Sequence, residues 1–305
     1  MEQRIEQSQI NSEIPMKILG QTEHEGQKLS YEEKCQVLHK LMEEYSRQPI
    51  VVAFSGGADS SLLLKLAALY CRDRGNQVIA ITVSTELHPV KDEEIARKVA
   101  CEEGTEHRVL KIRELENPQI EKNPVDRCYH CKKFLFRAIK KEAENAGTQT
   151  VLEGTNADDL LQYRPGLRAL QELEIKSPLK EAGLTKDEVR KLSKEYGISV
   201  ADRPSSPCLA TRFPYGDKLT IEKLNQVEQG EIYLKSLGLY NVRLRIHGTI
   251  ARIEVDTADI EKLLNHREQI IHHLKSLGYG YITLDLEGFR SGSMDEPLLK
   301  QRIKD

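Results

Sequence analysis

The sequence predicts an α/β protein in which a parallel sheet, covered by helices on both faces, is followed by a smaller C-terminal α+β domain. Three observations support this fold class. Short apolar runs alternate with helical segments up to residue 196, as expected for a parallel sheet. A proline-rich stretch then ends the alternation, and a helix–strand–strand–helix–strand order follows it. A chain of 305 residues is long enough for two such domains.

The N-terminal part supplies the elements of the parallel sheet. Residues 1–30 are polar and aperiodic, so we expect an arm that is mobile or weakly docked. Thr185 and Glu188 have the spacing of a helix capping box. Hydrophobic periodicity predicts helices at 31–45, 61–73, 91–103, 128–146 and 185–196, and strands at 49–54, 77–83, 108–112 and 150–153.

The stretch 201–216 contains three prolines and one glycine, which exclude a regular element. We place the domain boundary there, so the predicted domains are 31–203 and 204–305. The second domain should contain a mostly antiparallel sheet. Its predicted helices are 220–237 and 258–277, and its predicted strands are 241–246, 251–256 and 281–286.

The composition excludes several classes of protein. Charged residues make up 30% of the chain and the hydrophobic set 39%, as in a folded rather than a disordered protein. No apolar run approaches the ~18 residues of a membrane-spanning helix, and no signal peptide is recognisable, so we expect a cytoplasmic protein. The net charge of −3 and the absence of Trp argue against nucleic acid as a partner.

A glycine-rich segment, Ser-Gly-Gly-Ala-Asp-Ser, begins at Ser55 between a predicted strand and a predicted helix, which is typical of a phosphate-binding loop. Gly56 and Gly57 let the backbone turn tightly and bring N–H groups to a phosphate. Ser55 and Ser60 offer hydroxyl donors, and Asp59 offers a carboxylate for Mg²⁺. The segment is not a Walker A motif, because no Gly-Lys-Ser/Thr closes it. An ordinary glycine-rich turn is the alternative.

Three further positions lie where predicted strands end, at the sheet edge that binds nucleotides in α/β folds. Ala53 is near the end of the first strand, Ser84 follows the second, and Gly154 follows the fourth. We expect these residues and the glycine-rich loop to form an ATP site. Simple loop structure is the alternative for each.

Three of the six cysteines fall in segments that suggest chemistry. Cys128 and Cys131 form a C-x-x-C pair at the start of a predicted helix, where both sulfurs point to one side. Cys208 lies in the proline-rich stretch. Three thiolates suit a four-iron cluster with one open iron, but zinc, a redox pair and free thiols remain possible. The other cysteines fall in predicted helices, where Cys behaves as a small hydrophobe: Cys35, Cys71 and Cys101.

Together these motifs resemble the ATP-dependent sulfur transferases of nickel-pincer nucleotide cofactor synthesis, the LarE family of the PP-loop superfamily. The resemblance runs from Tyr31 to Leu299. The first motif is shared by all PP-loop proteins, whereas the cysteine loop and the tail motif are more specific. The motifs are SGGADS (55–60), RCYHCKK (127–133), EGTNADD (153–159), YRPG (163–166), SSPCLATRFPYG (205–216), VRLRIHG (242–248), ARIEV (251–255) and GFRSGSMDE (288–296).

The resemblance implies a PP-loop ATP pyrophosphatase domain, similar to the adenine nucleotide α-hydrolases, and a C-terminal sulfur-transferase domain. Such enzymes use ATP and Mg²⁺ to adenylate the carboxylates of pyridinium-3,5-biscarboxylic acid mononucleotide and convert them to thiocarboxylates, releasing AMP and pyrophosphate. In the branch with a C-x-x-C pair, three cysteines hold a [4Fe-4S] cluster whose open iron carries sulfide. Here these would be Cys128, Cys131 and Cys208. In the other branch, the cysteine matching Cys208 gives up its own sulfur.

Three arginines are candidates for binding the substrate. Arg243 and Arg245 alternate along a predicted strand, so both point to one face, and their guanidinium groups suit phosphate or carboxylates. Arg212 lies four residues after Cys208 and could neutralise the acyl-adenylate. Solvated charges are the alternative. Weaker candidates are Asp158, Asp159 and Glu231.

The family's homo-oligomeric assembly implies that Arg290 and Ser291 in the tail motif contact a neighbouring subunit. A PP-loop tRNA thiolase, which also pairs this loop with three cluster cysteines, is the main alternative function. The others are an amidating PP-loop ligase and a nucleotide-binding regulatory protein with zinc-bound thiols.

Overall fold

The computed structural model describes residues 29–161, 164–204, 206–290 and 292–296. The arm predicted at 1–30 lies outside these ranges except for its last two residues. Ser291 and the contact predicted for it also lie outside them.

The N-terminal half contains a parallel four-stranded sheet whose strands match the predicted ones to within about two residues. They are β1 Ile50–Ala53, β2 Val78–Ser84, β3 Glu106–Lys111 and β4 Val151–Leu152. Their order in the sheet is β3–β2–β1–β4, and every pairing is parallel. Parallel neighbours need crossover connections, which the intervening helices provide.

Helices cover both faces of this sheet, as predicted. The helices are α1 Tyr31–Tyr45, α2 Ala58–Arg74, α3 Val90–Glu102, α4 Pro118–Glu121, α5 Arg127–Asn145, α6 Gly166–Glu172, α7 Pro178–Glu181 and α8 Lys186–Glu195. Alternate strand residues face opposite layers: Val52 packs with α1, α2, α3 and α8, and Val51 packs with α5 and α6. The capping box of Thr185 and Glu188 is present at the start of α8. The α/β fold class is therefore confirmed.

The C-terminal part has its own three-stranded sheet, with α9 Ile221–Ser236, β5 Arg243–His247, β6 Ile250–Glu254, α10 Ile260–Asn265, α11 Arg267–Ser276 and β7 Tyr281–Leu284. β5 and β6 are antiparallel, but β6 and β7 are parallel. The prediction of a mostly antiparallel sheet was therefore wrong for one of the two pairings. The chain crosses back through α10 and α11 before β7, and this connection makes the last pair parallel.

The single helix predicted at 258–277 is divided at His266. The backbone N–H of His266 bonds to Leu263 rather than to Lys262, as in a 3₁₀ turn. Its ring Nδ1 lies 2.9 Å from the Lys262 carbonyl oxygen. In a continuous helix, the Lys262 carbonyl would accept the backbone N–H of His266. Here that carbonyl lies against the His266 ring instead, and α10 ends there.

The proline-rich stretch contains one 3₁₀ turn, Leu209–Arg212, and joins the two halves by backbone hydrogen bonds. Leu209 donates to the Leu87 carbonyl at 2.8 Å, and Gly216 donates to the Asn123 carbonyl at the same distance. Within the described ranges, no helix is long and apolar enough to cross a membrane. The boundary at residue 203 remains a prediction.

Candidate active site

A cavity of about 610 Å³ lies at the carboxyl ends of the parallel strands. It brings the glycine-rich loop together with all three cysteines of the predicted site, which lie far apart in the sequence. The predicted residues that line it are Ala53, Ser55, Gly57, Asp59, Ser60, Ser84, Gly154, Cys128, Cys131 and Cys208, together with the weaker candidate Asp159. Gly56, Arg212, Arg243 and Arg245 are absent from the described lining of the cavity.

The glycine-rich loop is held in shape by its own hydroxyl groups. The Ser55 and Ser60 hydroxyl oxygens are 3.1 Å apart, and Ser60 Oγ donates to the Gly57 carbonyl at 3.2 Å. Gly57 is the N-cap of α2 and supplies no side-chain cap to the first N–H groups of the helix, and Gly57, Asp59 and Ser60 line the cavity. Unpaired N–H groups and the positive end of a helix dipole form an anion site.

Two glycines are needed here for geometric reasons. Gly56 has φ +68°, and a Cβ atom on it would lie 2.9 Å from the backbone of Ala96 in α3. A Cβ on Gly154 would lie 3.0 Å from the Ser60 backbone nitrogen. Side chains at either position would force α3 or the loop after β4 away from the phosphate loop.

Asp59 and Asp159 place two carboxylates beside the loop. The pKa of Asp59 is raised to about 6, mainly by burial and then by the negative charge of Asp159, whereas Lys186 and Arg190 act in the opposite direction. Asp159 is paired with Arg164 at 2.8 Å and accepts the Asn156 backbone N–H at 3.1 Å. Two neighbouring carboxylates of this kind form a favourable position for a divalent cation.

The cysteine end of the cavity is assembled from distant segments. Cys128 and Cys131 lie in the first turns of α5, and Cys208 immediately precedes the 3₁₀ turn at 209–212. All three thiols are free. Burial raises the pKa values of Cys131 and Cys208, and for Cys131 the Glu114 carboxylate adds to the effect. For Cys208, the nearby Arg127 and Arg212 guanidinium groups oppose this rise, although burial dominates.

Arg127 is a site residue that the sequence analysis missed. Its side chain is buried, and one guanidinium nitrogen lies 3.6 Å from Cys128 Sγ and 4.0 Å from Cys208 Sγ. Its other nitrogen donates to Asn123 Oδ1 and, at 3.5 Å, to the Ala210 carbonyl. Arg127 thus joins the two cysteine segments and directs positive charge at their sulfurs.

Other cationic side chains on the cavity wall were also missed, although one of them, Lys132, directly follows the C-x-x-C pair in the sequence. The described cationic residues of the lining are Arg127, Lys132, Arg164 and Lys186. The same lining also contains acidic residues, namely Asp59, Asp92, Glu93, Glu153 and Asp159. The basic side chains therefore provide local contacts for the anionic groups of a ligand, not a net positive cavity.

The surroundings of Glu114 indicate whether the cysteine end of the cavity fits a metal group. Glu114 is fully buried, and neither of its carboxylate oxygens bonds to an N–H or O–H donor among the described residues, although the Cys131 thiol lies within reach. An unpaired buried carboxylate costs several kcal/mol, and a cation nearby would offset that cost. The described residues contain no set of three or more donor side chains arranged around a single metal ion. Three sulfurs with one orphaned carboxylate nevertheless suit a larger, thiophilic, cationic group.

The predicted substrate arginines lie in the C-terminal part and have partners of their own. Arg212 forms a two-pronged ion pair with Glu231, both distances being 2.8 Å, and Arg245 pairs with Glu254 at 3.0 Å. Arg243 donates to the Val242 carbonyl. Burial and the neighbouring Arg212 lower the pKa of Arg243 to about 10.

The remaining weak candidates also have local contacts. Asp158 accepts the Lys186 backbone N–H at 2.9 Å, which fixes the start of α8. Arg290 pairs with Glu287 at 2.8 Å and with Glu296 at 3.0 Å within its own chain. The roles predicted for these residues, and the subunit contact of Arg290, remain predictions.

The fold and the cavity define an ATP-using enzyme of the PP-loop class, and a PP-loop domain model matches residues 30–164. The chain is 39% identical over 256 residues to the pyridinium-3,5-bisthiocarboxylic acid mononucleotide synthase of Lactiplantibacillus plantarum, covering 84% of this chain and 92% of that one. An uncharacterised Synechocystis protein is 38% identical, over 88% and 99% of the two chains. The protein belongs to the LarE family. A tRNA-specific 2-thiouridylase of Rickettsia africae is 31% identical over 60% of each chain.

Proposed function

We propose that this enzyme inserts sulfur into a nucleotide cofactor precursor, adenylating the carboxylates of pyridinium-3,5-biscarboxylic acid mononucleotide and converting them to thiocarboxylates. The observation that carries this proposal is the single cavity lined by both the phosphate loop and the three cysteines. A site that activates a carboxylate and a site that delivers sulfur must share one substrate, and this cavity allows both to reach it.

In the first half-reaction, a carboxylate oxygen attacks the α-phosphorus of ATP, giving an acyl-adenylate and pyrophosphate. The N–H groups at the start of α2 and the Ser55 and Ser60 hydroxyls bind the departing phosphates. Asp59, with Asp159, would hold Mg²⁺ beside them, and the ion would supply positive charge to the phosphates. Lys186 and Arg164 on the cavity wall offset the accumulated negative charge.

In the second half-reaction, sulfide attacks the acyl carbon and AMP leaves, so that one C–S bond replaces one C–O bond without a change of oxidation state. A [4Fe-4S] cluster held by Cys128, Cys131 and Cys208 would supply an iron with an open position for that sulfide. Arg127 donates towards two of these sulfurs and stabilises their thiolate form. Lys132, which lies 3.6 Å from Glu153, offers positive charge for the acyl oxygen.

Sacrificial donation of the Cys208 sulfur is the second candidate for this step. Cys208 lies on the cavity wall, as that mechanism requires. The presence of Cys128 and Cys131 on the same wall, and the orphaned Glu114 beside them, favour a shared metal group. A tRNA thiolase is disfavoured by the small negative net charge and by the partial coverage of the thiouridylase match.

The proposal extends to assembly, location and domain organisation. We propose that the enzyme works as a homo-oligomer in the cytoplasm, with residues 31–203 and 204–305 as its two domains. The small anionic substrate would meet the local cations of the cavity, and Arg243 with its neighbours would bind a further phosphate or carboxylate.

The test is anaerobic purification followed by iron and sulfide analysis of the wild type and of Cys128→Ala, Cys131→Ala and Cys208→Ala. We expect about four irons in the wild type and a loss of iron in each variant. Cys101→Ala is the matched control, because Cys101 is exposed and lies away from the cavity. Iron-free wild type that thiolates its substrate once per chain, and only with Cys208, would establish the sacrificial route instead.

A further inference from the structure

Arg203 makes two contacts that the proposed chemistry does not use. One nitrogen of its guanidinium donates to the Gly56 carbonyl oxygen at 3.0 Å, and the other pairs with Asp92 at 2.5 Å. Both side chains of the ion pair are about four-fifths buried. Arg203 therefore links the phosphate loop to the first turn of α3, from a position 147 residues away in the chain.

The bond from Arg203 to the Gly56 carbonyl fixes the orientation of the peptide group between Gly56 and Gly57. In a trans peptide the C=O and N–H groups point in opposite directions. Because the Gly56 carbonyl is bonded to Arg203, the Gly57 N–H points away from Arg203. Gly57 lines the cavity and Gly56 does not, which is consistent with an N–H directed towards the cavity. The opposite orientation would present a carbonyl oxygen to the phosphates and repel them.

This peptide is unusually free to turn over, because both of its residues lack a Cβ atom. Gly56 already has φ +68°, and Gly57 has φ −86°. The hydroxyl of Ser55 is 3.4 Å from the Gly57 nitrogen, which is a weak restraint. Among the described residues, Arg203 is the side chain that holds the carbonyl side of the peptide.

We propose that Arg203 is a positioning residue of the phosphate loop: it fixes the Gly56–Gly57 peptide with its N–H towards the cavity and thereby sets the affinity for the β- and γ-phosphates. Asp92 fixes the guanidinium in turn, from the helix that packs against Gly56. The proposal rests on ATP binding by the PP-loop domain and is independent of the metal at the cysteine end.

The test compares the affinities of ATP, pyrophosphate and AMP, each measured with Mg²⁺ by calorimetry, for the wild type and Arg203→Met. We expect ATP and pyrophosphate to bind roughly tenfold or more weakly, because a charged hydrogen bond that orders the loop is lost. AMP lacks the phosphates that the loop binds, so its affinity should change less than about twofold.

Two further variants separate this role from a general effect on folding. Asp92→Asn keeps the bond to Gly56 and should lose less ATP affinity than Arg203→Met, while Arg203→Lys, which cannot span both partners, should fall between wild type and Arg203→Met. Arg267→Met, which removes an exposed ion pair with Glu268, is the matched control.

Unchanged ATP affinity in Arg203→Met, or equal weakening of ATP, pyrophosphate and AMP binding in a folded variant, would overturn the proposal. Neither result would affect iron binding, on which the proposed sulfur chemistry depends.

Discussion

The two ends of the cavity are built in different ways. At the phosphate end, the Ser55 and Ser60 hydroxyls bond to each other, and that of Ser60 also donates to the Gly57 carbonyl, all within six consecutive residues. One long-range bond joins them, from Arg203 to the Gly56 carbonyl. At the cysteine end, the groups come from three distant segments and include a buried carboxylate with no N–H or O–H donor among the described residues. The first end is organised before its ligand arrives. The second depends on contacts between distant segments and buries a carboxylate at a cost in free energy.

The largest effect should come from the ion pair that supports the cysteine end. Arg212→Met leaves Glu231 buried without its partner and frees the carbonyls of Pro207 and Cys208 that Arg212 also binds. We expect the free energy of unfolding to fall by about 3–5 kcal/mol, measured by urea denaturation.

The double variant Arg212→Met/Glu231→Met removes both charges and should recover most of that stability. If the double variant also recovers the affinity for the carboxylate substrate, Arg212 is a support for the Cys208 loop and not a substrate ligand. A single variant as stable as the wild type would contradict the buried ion pair.

At the phosphate end, Gly56→Ala should cost roughly 2–4 kcal/mol of stability, because it combines a strained φ with contact against the Ala96 backbone. ATP binding should be lost with it. Gly75→Ala is the matched control: Gly75 has φ +71°, but nothing lies within 4 Å of an added Cβ. The control should therefore lose only about 1 kcal/mol by thermal or urea unfolding. Equal losses in the two variants would show that packing against α3 is unimportant.

The smallest of the three effects concerns Asp59 in the protein free of nucleotide and Mg²⁺. Its pKa is about 6 in the folded protein, above its ordinary value, so the folded state binds the proton more tightly than the unfolded state. Its contribution to stability therefore decreases as the pH rises from about 4 to about 6 and then stays constant.

Asp59→Asn removes this penalty and should stabilise the ligand-free protein by roughly 2 kcal/mol at pH 8 and hardly at all at pH 4. Urea unfolding at the two pH values measures the difference. The variant should lose Mg²⁺-dependent ATP use. The same stability for both proteins at pH 8 would mean that the buried carboxylates of the phosphate end carry no cost.

The sequence was most informative where structure is local. The strands, the helices around them and the phosphate loop depend on neighbouring residues, and their periods and glycines are visible in the chain. Contacts between distant residues were not predictable. The Arg212–Glu231 pair and the bond from Arg203 to Gly56 depend on how segments meet in space. Glu114 belongs to no motif, so only its burial without an N–H or O–H donor among the described residues marks it.

The order of the cysteines along the chain has a consequence for biosynthesis. Cys208 is translated 77 residues after Cys131, which corresponds to roughly 4–15 s at typical rates of ~5–20 residues/s. During that interval, the nascent chain carries two closely spaced thiols without the third and without the turn that Leu209 forms against Leu87. A complete set of three thiols therefore exists only after the first residues of the C-terminal part have been synthesised. Any group held by all three cysteines could be bound only from that point onwards.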